Sequence, residues 1–397
     1  MAASPRTFWQ TKKGKKSVKI TDIKTYLVEA HRRNWVFIEV KTDEGITGVG
    51  EATIEPFERT MVTLIEDYKR TVIGKDPRAI EFLWEDRYRG QFLRSDLLVN
   101  VALSAIEIAC WDIKGKALGV PCYELFGGPV HQSVPAYGNY WFMKTSMGKT
   151  SVGEYAESAA RAVENGFRAL KWSPFGYAAH SMTPEQEHVT LECVRQVRQA
   201  VGADVWLMVD AHGRFDLPQA RRLANKFEEY DLYFFEEPLP PENLDAFVEL
   251  KNSTTTPIAT GERYVARHQF RDLLEKYACD YIQPDAIYTG GMNELRKIAM
   301  MAETYYCPVI PHNCNGPVAT AATIHASACM PNFRIMEYIP VPERIDVLLE
   351  PLVIKDGAFQ LPTKPGLGVE LNKEVFDQYV YKPRDLDHFR SEREIVL

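Results

Sequence analysis

The chain has 397 residues, of which 45% are hydrophobic and 25% charged, and its formal net charge is −7 at pH 7. This composition is typical of a globular protein long enough for a barrel and a second domain, and its acidity disfavours nucleic acid as a partner. No apolar run approaches the roughly 20 residues of a membrane span, so we expect no membrane partner. Because no signal-peptide core and no CxxC pair is present, we expect a cytoplasmic protein whose seven cysteines are reduced and mostly core residues.

The first third of the chain combines strand patterns with helix patterns. Residues 1–16 are expected to form a loose leader. From Val18 the apolar residues alternate with polar ones through two or three strands, which predicts an antiparallel meander. Helical periodicity follows at 57–68, 79–89 and 99–118, and Gly119 is a candidate C-cap. The sequence therefore predicts an α+β capping domain over residues 17–133.

From Val134 onward, short apolar runs alternate with helix-like segments such as 218–229, 244–251, 270–277 and 292–304. Eight runs are candidate strands, at 134–140, 168–173, 205–210, 232–236, 257–262, 281–285, 308–312 and 333–338. Eight repeated β/α units predict an α/β fold, a (β/α)8 barrel with an outer ring of helices, over 134–348. The segment 349–397 is predicted to pack back on the capping domain and complete it.

Three of the candidate strands end on carboxylates spaced 26 residues apart: Asp210, Glu236 and Glu262. In a parallel barrel the C-terminal strand ends share one rim, so these side chains should converge. Like charges at one place need a cation or protons to hold them together, and an all-oxygen ligand set suits Mg²⁺. The alternative is that one or two of them cap helices or pair with Arg214 and Arg263.

Two histidines lie close to these carboxylates in the predicted barrel. His212 follows Asp210 by two residues, and His312 ends the seventh strand beside Asp285, which ends the sixth. A carboxylate next to an imidazole fixes its tautomer and raises its basicity, as in a general base. The alternative is that each histidine is a structural residue with satisfied hydrogen bonds.

Glu337 and Lys171 complete the predicted rim. Glu337 ends the eighth strand, where a salt bridge to an arginine is the alternative to a role in the site. Lys171 ends the second strand, where it could neutralise a substrate carboxylate or act as a base. A structural ion pair between Lys171 and Asp210 is the competing interpretation.

Loops of the capping domain are expected to close over the barrel mouth and select the substrate. The candidate segments are 31–35 and 51–59. Arg32 or Arg33 could contact a distal hydroxyl or carboxylate, with Trp35 beside them, although an arginine there could equally be solvated.

Ordered motifs along the chain carry a family resemblance. They are WDIKGKALGVP at 111–121, DAHGR at 210–214, FEEP at 235–238, GER at 261–263, QPD at 283–285 with TGG at 289–291, PHNCNGP at 311–317 and TKPGLGVE at 363–370. Through them the chain resembles the enolase superfamily, mandelate racemase subgroup, and most closely its sugar-acid dehydratases of the D-galactonate dehydratase type. The resemblance extends from about residue 18 to residue 370.

The resemblance implies a role for each candidate residue. It makes Asp210, Glu236 and Glu262 the Mg²⁺ ligands, with Glu237 beside them near the substrate. It makes Asp285 and His312 the dyad that abstracts a proton, His212 the acid that protonates the leaving hydroxyl, and Glu337 the partner of the substrate carboxylate. One departure is informative: racemases of the subgroup have Lys-x-Lys on the second strand, whereas this chain has Lys171-Trp172-Ser173. Since serine cannot act as the second base, racemisation is disfavoured.

The implied reaction is the dehydration of a sugar acid such as galactonate or gluconate. Removal of the C2 proton and loss of the C3 hydroxyl give a 2-keto-3-deoxy sugar acid, in an enzyme that the family implies to be a homo-oligomer. The alternative within enzymes is an epimerase or cycloisomerase of a sugar acid, its lactone or its anhydro form. A sugar-acid binding protein without catalysis is the alternative from another class.

Overall fold

The structure is a computed structural model that describes residues 18–31, 33–92, 94, 96–142 and 150–384, together with the backbone of 395–396. The predicted leader at 1–16 and Arg32 lie outside the described residues. Helices and strands alternate through most of the rest, so the prediction of an α/β protein is confirmed.

The first part of the chain is a three-stranded antiparallel sheet packed against helices. Its strands occur in the order β1 (Ile20–Ala30), β2 (Arg33–Thr42) and β3 (Thr47–Glu51), and its helices are α1 (Glu58–Val72), α2 (Ile80–Gly90), α3 (Leu97–Leu118) and the short α4 (Cys122–Leu125). Helix α3 begins at Asp96, whose carboxylate accepts from two backbone N–H groups of its first turn. It ends at Gly119, which has the left-handed conformation (φ 72°) predicted for this C-cap.

The second part alternates strands with helices. Its elements are β4 (Ser133–Gly138), β5 (Thr150–Ser151), α5 (Val152–Glu164), β6 (Ala169–Trp172), α6 (Pro184–Val201), β7 (Trp206–Asp210), α7 (Leu217–Phe227), β8 (Phe234–Glu236), α8 (Leu244–Lys251), β9 (Ile258–Thr260), α9 (Ala266–Glu275), β10 (Tyr281–Ile282), α10 (Met292–Glu303), α11 (Pro317–Ser327) and β11 (Met336–Tyr338). The chain ends in β12 (Ile354–Lys355), β13 (Ala358–Gln360) and β14 (Ile395–Val396). Within the described ranges, 3₁₀ segments lie at Glu228–Tyr230, Pro342–Val347 and Lys373–Gln378.

The strands of the second part pair in parallel in the order β4, β6, β7, β8, β9, β10, and β11 pairs with β4 in parallel. The predicted seventh strand at 308–312 forms only isolated bridges, in which Val309 pairs with Ile282 and Phe333. Pro308 and Pro311 lack an N–H group, so they cannot donate to a continuous ladder. A short ladder at this point is therefore a consequence of the sequence.

The period of two along each strand explains where the functional side chains lie. One hydrophobic cluster is formed by Tyr137, Ala169, Met208, Phe234, Ala259, Ile310 and Ile335, which lie on different strands. Moving two residues along the chain from a residue in a strand leads to the same face of the sheet. From Ala169, Met208, Phe234, Ile310 and Ile335 this step reaches Lys171, Asp210, Glu236, His312 and Glu337. The polar site therefore lies directly above an apolar layer.

The C-terminal segment contacts both parts of the chain. Strand β13 pairs with β4 of the parallel sheet. Further on, Leu367 N donates to Asp112 at 2.8 Å, Lys373 Nζ pairs with Glu39 at 2.7 Å, and the ring of Phe376 stacks on Phe37 with centroids 6.0 Å apart.

Most helix bounds agree with the sequence patterns to within a few residues. The sequence analysis did not single out α5, α6 or α11, although α5 and α6 begin with capping boxes, Ser151 with Glu154 and Thr183 with Gln186. Among the described residues, no helix combines the length and the hydropathy needed to cross a membrane.

Candidate active site

Three carboxylates form the acidic part of the site. Asp210 ends β7, Glu236 ends β8 and Glu262 follows β9, and each offers one oxygen within 4.8 Å of the other two. Burial and the neighbouring charge of Asp210 raise the pKa of Glu236 well above its usual range. The structure thus brings together the three residues that the sequence predicted to converge, in an all-oxygen cluster of the kind that suits Mg²⁺.

Lys171 lies among these carboxylates. Its ammonium nitrogen is 2.8 Å from both carboxylate oxygens of Glu236, 3.3 Å from Asp210 Oδ2 and 3.0 Å from Glu337 Oε1. Burial disfavours the ammonium charge, but the carboxylates outweigh it, so the pKa of Lys171 lies well above its usual range. Lys171 was expected either to act on the substrate or to form a structural ion pair with Asp210. Its contacts match the ion pair, and it also pairs with Glu236 and Glu337.

His312 and Asp285 are hydrogen-bonded at 2.7 Å, between Nδ1 and Oδ2. Asp285 also accepts from the backbone N–H of Ile287 at 2.7 Å and from the side-chain amide of Asn315 at 2.8 Å. The other ring nitrogen of His312, Nε2, lies 3.4 Å from Glu262 Oε2. This arrangement fixes the imidazole and directs Nε2 toward the carboxylate cluster.

His212 contacts Asp210, whereas His312 lies beside Glu262. Its Nε2 lies 3.2 Å from Asp210 Oδ2, and its backbone N–H donates to Asp210 Oδ1 at 2.8 Å. The residue has a positive φ of 52°, and Arg263 donates to its carbonyl at 2.6 Å. Each of the two histidines therefore contacts a different carboxylate of the triad.

Glu337 is fully buried at the end of β11. Its Oε1 accepts from the Asn139 amide at 2.7 Å and its Oε2 from the backbone N–H of Asn313 at 3.2 Å. Burial raises the pKa of Glu337, but Lys171 and His312 lower it by more, to about 2. Glu337 is therefore held as an anion by a lysine rather than by an arginine.

Glu237 follows the second triad member and lies just beyond the end of β8. The side chain is buried, and its Oε2 pairs with Arg263 Nε at 2.8 Å. Because Glu237 has a positive φ of 38°, its direction does not follow from the alternation of side chains along the strand.

Arg33 reaches the site from the capping part of the chain. Its guanidinium donates to the Cys314 carbonyl, and its Nε lies 3.3 Å from Glu55 Oε1. Trp35, by contrast, is buried in the core of β2, where its ring centroid is 5.7 Å from that of Phe37. Of the three residues predicted from segment 31–35, the structure therefore brings Arg33 to the loop that follows His312.

The sequence analysis missed several residues that shape the site. Cys314 was given no role in the site, but it is half-buried and offers its sulfur within 4.8 Å of ligand atoms of His312 and Glu337. Asn139 and Asn315 hold Glu337 and Asp285. For Cys314 and Asn315 a signal was available, since both lie within the PHNCNGP motif.

Two carboxylates of the first part of the chain cap helices that follow the site loops. Glu51 accepts from the backbone N–H groups of Gly316 at 2.5 Å and Ala319 at 2.9 Å, at the start of α11. Glu107 accepts from those of Met292 at 2.9 Å and Asn293 at 3.1 Å, at the start of α10. Glu51, which belongs to a segment considered for substrate selection, thus contacts the loop after His312.

Comparison with known proteins identifies the family of this chain. Residues 11–127 match the mandelate racemase / muconate lactonizing enzyme N-terminal domain, and residues 154–375 match the enolase C-terminal domain-like family. The chain is 35% identical over 366 residues to D-galactonate dehydratase of Pectobacterium atrosepticum, covering 90% of this chain and 93% of the relative. It is 34% identical over 356 residues to D-gluconate dehydratase of Thermoproteus tenax, covering 88% of this chain and 71% of the relative.

A crystal structure of a protein from Mesorhizobium loti superposes with a TM-score of 0.86 at 37% identity, covering 92% of this chain and 99% of the other. The chain therefore belongs to the mandelate racemase / muconate lactonizing enzyme family of the enolase superfamily. The resemblance inferred from the sequence motifs is confirmed.

Proposed function

We propose that this protein is a Mg²⁺-dependent dehydratase that converts a sugar acid, an aldonate such as galactonate or gluconate, into a 2-keto-3-deoxy sugar acid. The observation that carries the proposal is the placement of two imidazoles on one carboxylate triad. His312 Nε2 lies 3.4 Å from Glu262, and His212 Nε2 lies 3.2 Å from Asp210. Dehydration needs both a base and an acid, and the two histidines supply them.

Asp210, Glu236 and Glu262 would hold the metal ion. Their oxygens are the hard ligands that Mg²⁺ prefers, and their mutual distances suit a single ion. The chemistry supplied by a bound Mg²⁺ is stabilisation of the negative charge that develops on the substrate carboxylate when the C2 proton leaves. Lys171 offsets the excess negative charge of Asp210, Glu236 and Glu337.

His312 would accept the C2 proton at Nε2. Its Nδ1 faces Asp285, so the dyad keeps Nε2 available as the acceptor and stabilises the imidazolium that forms. His212, in its protonated form, would donate to the departing C3 hydroxyl. Glu337 would hydrogen-bond the substrate carboxylate, while Arg33 and Glu237 would lie near the rest of the substrate.

The proposal includes the architecture around the site. Strands β4 and β6 to β11, with the segment 308–312 that bridges at Val309, would close into an eight-stranded (β/α)8 barrel over 134–348. Residues 17–133 would cap it, completed by residues from 349–397 that contact Glu39 and Phe37. We propose a cytoplasmic homo-oligomer whose partner is a small-molecule sugar acid.

The test is incubation of the purified protein with Mg²⁺ and a panel of aldonic and aldaric acids in D₂O, followed by keto-acid detection and proton NMR. A 2-keto-3-deoxy product supports dehydration and names the substrate. Exchange at C2 or a new isomer without a keto acid would favour the epimerase or cycloisomerase alternative. No turnover and no exchange with any acid of the panel would contradict the proposal.

His312→Asn should lower turnover by about 10³-fold, within the 10² to 10⁴ range of general base catalysis, because the amide can occupy the place of Nδ1 but cannot accept the proton. Deuterium incorporation at C2 should fall with it. His188→Asn is the matched control, since His188 is exposed on α6 and should leave turnover unchanged. Equal turnover of the two variants would remove His312 from the role of base.

A further inference from the structure

Cys314 lies at the site but has no role in the proposed reaction. It follows His312 by two residues and is half-buried. Its sulfur, one ring nitrogen of His312 and one carboxylate oxygen of Glu337 all lie within 4.8 Å of one another. These residues come from the loop after the seventh candidate strand and from β11, so the fold brings the three donor atoms together.

The chemistry of this cluster differs from that of the acidic triad. A thiolate, an imidazole and a carboxylate are the ligands of Zn²⁺ and of similar transition metal ions, which they bind in tetrahedral geometry with a fourth position for water. Three carboxylates instead favour hard ions such as Mg²⁺. The two clusters adjoin at His312 Nε2, which lies 3.4 Å from Glu262 of the triad and 3.5 Å from Glu337.

The residues that surround the cluster hold two of its ligands in place. Asp285 accepts from Nδ1 of His312 at 2.7 Å, so Nε2 is the nitrogen left for a metal ion, and it lies 3.5 Å from Glu337 Oε2. A carboxylate behind a histidine is the usual outer support of a metal-binding imidazole. Glu337 is fixed in the same way by the amide of Asn139 at 2.7 Å. Little rearrangement is needed before an ion binds.

We propose that His312, Cys314 and Glu337 form a second cation site, selective for Zn²⁺ and chemically similar ions, that inhibits the enzyme. Binding displaces the thiol proton of Cys314 to solvent and occupies the lone pair of His312 Nε2. Binding itself is independent of the reaction, but the inhibition rests on the proposed function, in which Nε2 takes the substrate proton. The site would make the enzyme sensitive to transition metal ions while Mg²⁺ supports turnover.

Binding is tested with Co²⁺ as a spectroscopic probe, added to the full-length protein in excess Mg²⁺. A cobalt–thiolate bond gives a charge-transfer absorption band in the near ultraviolet, which oxygen ligands do not give. Wild type should show the band, Zn²⁺ should displace it, and Cys314→Ser and Cys314→Ala should lack it. Cys329→Ser is the matched control, because Cys329 is also half-buried but lies against the Tyr123 carbonyl, and it should keep the band.

Inhibition is tested by titrating Zn²⁺ into a dehydration assay at fixed Mg²⁺ and substrate. Cys314→Ser should need at least about tenfold more Zn²⁺ for half-inhibition than Cys329→Ser, as expected for the loss of a metal ligand. A band that survives in both Cys314 variants, or that is missing from wild type, would overturn the proposed site. Equal Zn²⁺ sensitivity of the two serine variants would overturn the inhibition. If no sugar acid is turned over, the proposed function fails, while the cobalt band still decides whether the site exists.

Discussion

Two sets of buried carboxylates can be compared within this one chain. Asp210 and Glu236 on the strand ends are surrounded by charged side chains, with Lys171 2.8 Å from Glu236 and 3.3 Å from Asp210. Glu51 and Glu107 in the first part of the chain accept mainly from backbone N–H groups at helix starts. The strand-end carboxylates are paired with charged side chains, whereas Glu51 and Glu107 are paired with the backbone N–H dipoles of helix starts.

The comparison teaches that burial and a raised pKa do not identify a functional carboxylate. Burial raises the pKa of Glu107 to about 8 and that of Glu51 to about 7, and burial also raises the pKa of Glu236. What separates the sets is the partner. A carboxylate whose donors are backbone N–H groups is already satisfied, whereas carboxylates that face one another need a cation.

The largest expected effect is on turnover and comes from Glu236→Gln. Glutamine keeps the shape but removes a charge from the triad, so Mg²⁺-dependent turnover should fall by about 10³-fold or more. The free energy of unfolding should fall by about 1 kcal/mol for the loss of one hydrogen bond from Lys171, offset in part by the lost repulsion from Asp210. Steady-state kinetics and urea unfolding measure the two quantities.

Glu229→Gln on the exposed surface serves as the control for this change and should alter neither quantity. If the Glu236→Gln protein kept its turnover, Glu236 would be a structural carboxylate like Glu51 and Glu107, and the distinction between the two sets would be wrong.

A change of intermediate size is expected from Glu107→Ala. The substitution leaves the N–H groups of Met292 and Asn293 and the indole N–H of Trp111 without their acceptor, which should lower the free energy of unfolding by about 3 kcal/mol. Turnover per folded molecule should fall far less than in Glu236→Gln, because Glu107 touches neither histidine of the site. Urea unfolding with kinetics on the same samples tests both statements; a loss of turnover without a loss of stability would contradict them.

A further expected effect is on the pH dependence of stability. Since the pKa of Glu107 is about 8 in the folded chain and ordinarily near 4.5, the folded chain holds this proton between these values while the unfolded chain releases it. The free energy of unfolding should therefore fall as the pH rises through this window. Glu107→Gln, which resembles the protonated carboxyl, should show a shallower fall. Unfolding at about pH 5 and about pH 8 measures the difference, and identical slopes would refute the assignment.

The triad and the dyad could be predicted from sequence because they obey local rules. A period of two along each strand places Asp210 above Met208 and Glu236 above Phe234, and the strand ends of a parallel sheet meet at one edge. The spacing of 26 residues then predicts that Asp210, Glu236 and Glu262 lie at the ends of three successive strands. The predicted seventh strand lies where it was expected but forms only isolated bridges, because Pro308 and Pro311 have no N–H group to donate to the neighbouring strands.

The remaining parts of the site depend on contacts between distant residues. Glu107 meets Met292 across 185 positions, and Glu51 meets Gly316 across 265. No spacing rule within one element connects such pairs. The PHNCNGP motif places Cys314 two residues after His312, but it carries no information about the carboxylate of Glu337 beside the thiol. The pairs Glu107–Met292 and Glu51–Gly316 became visible only with the tertiary structure.

The close approach of Glu107 to Gly291 also limits which chimeric proteins can fold. A Cβ atom added at Gly291 would lie 2.2 Å from Glu107 Oε2, and Gly291 has a φ of 109° that other residues rarely adopt. A Cβ added at Gly316 would similarly lie 2.7 Å from Glu51 Oε1. Chimeras that exchange the first 127 residues between relatives must therefore transfer each glutamate together with its glycine, or be joined to a second part that already has both glycines.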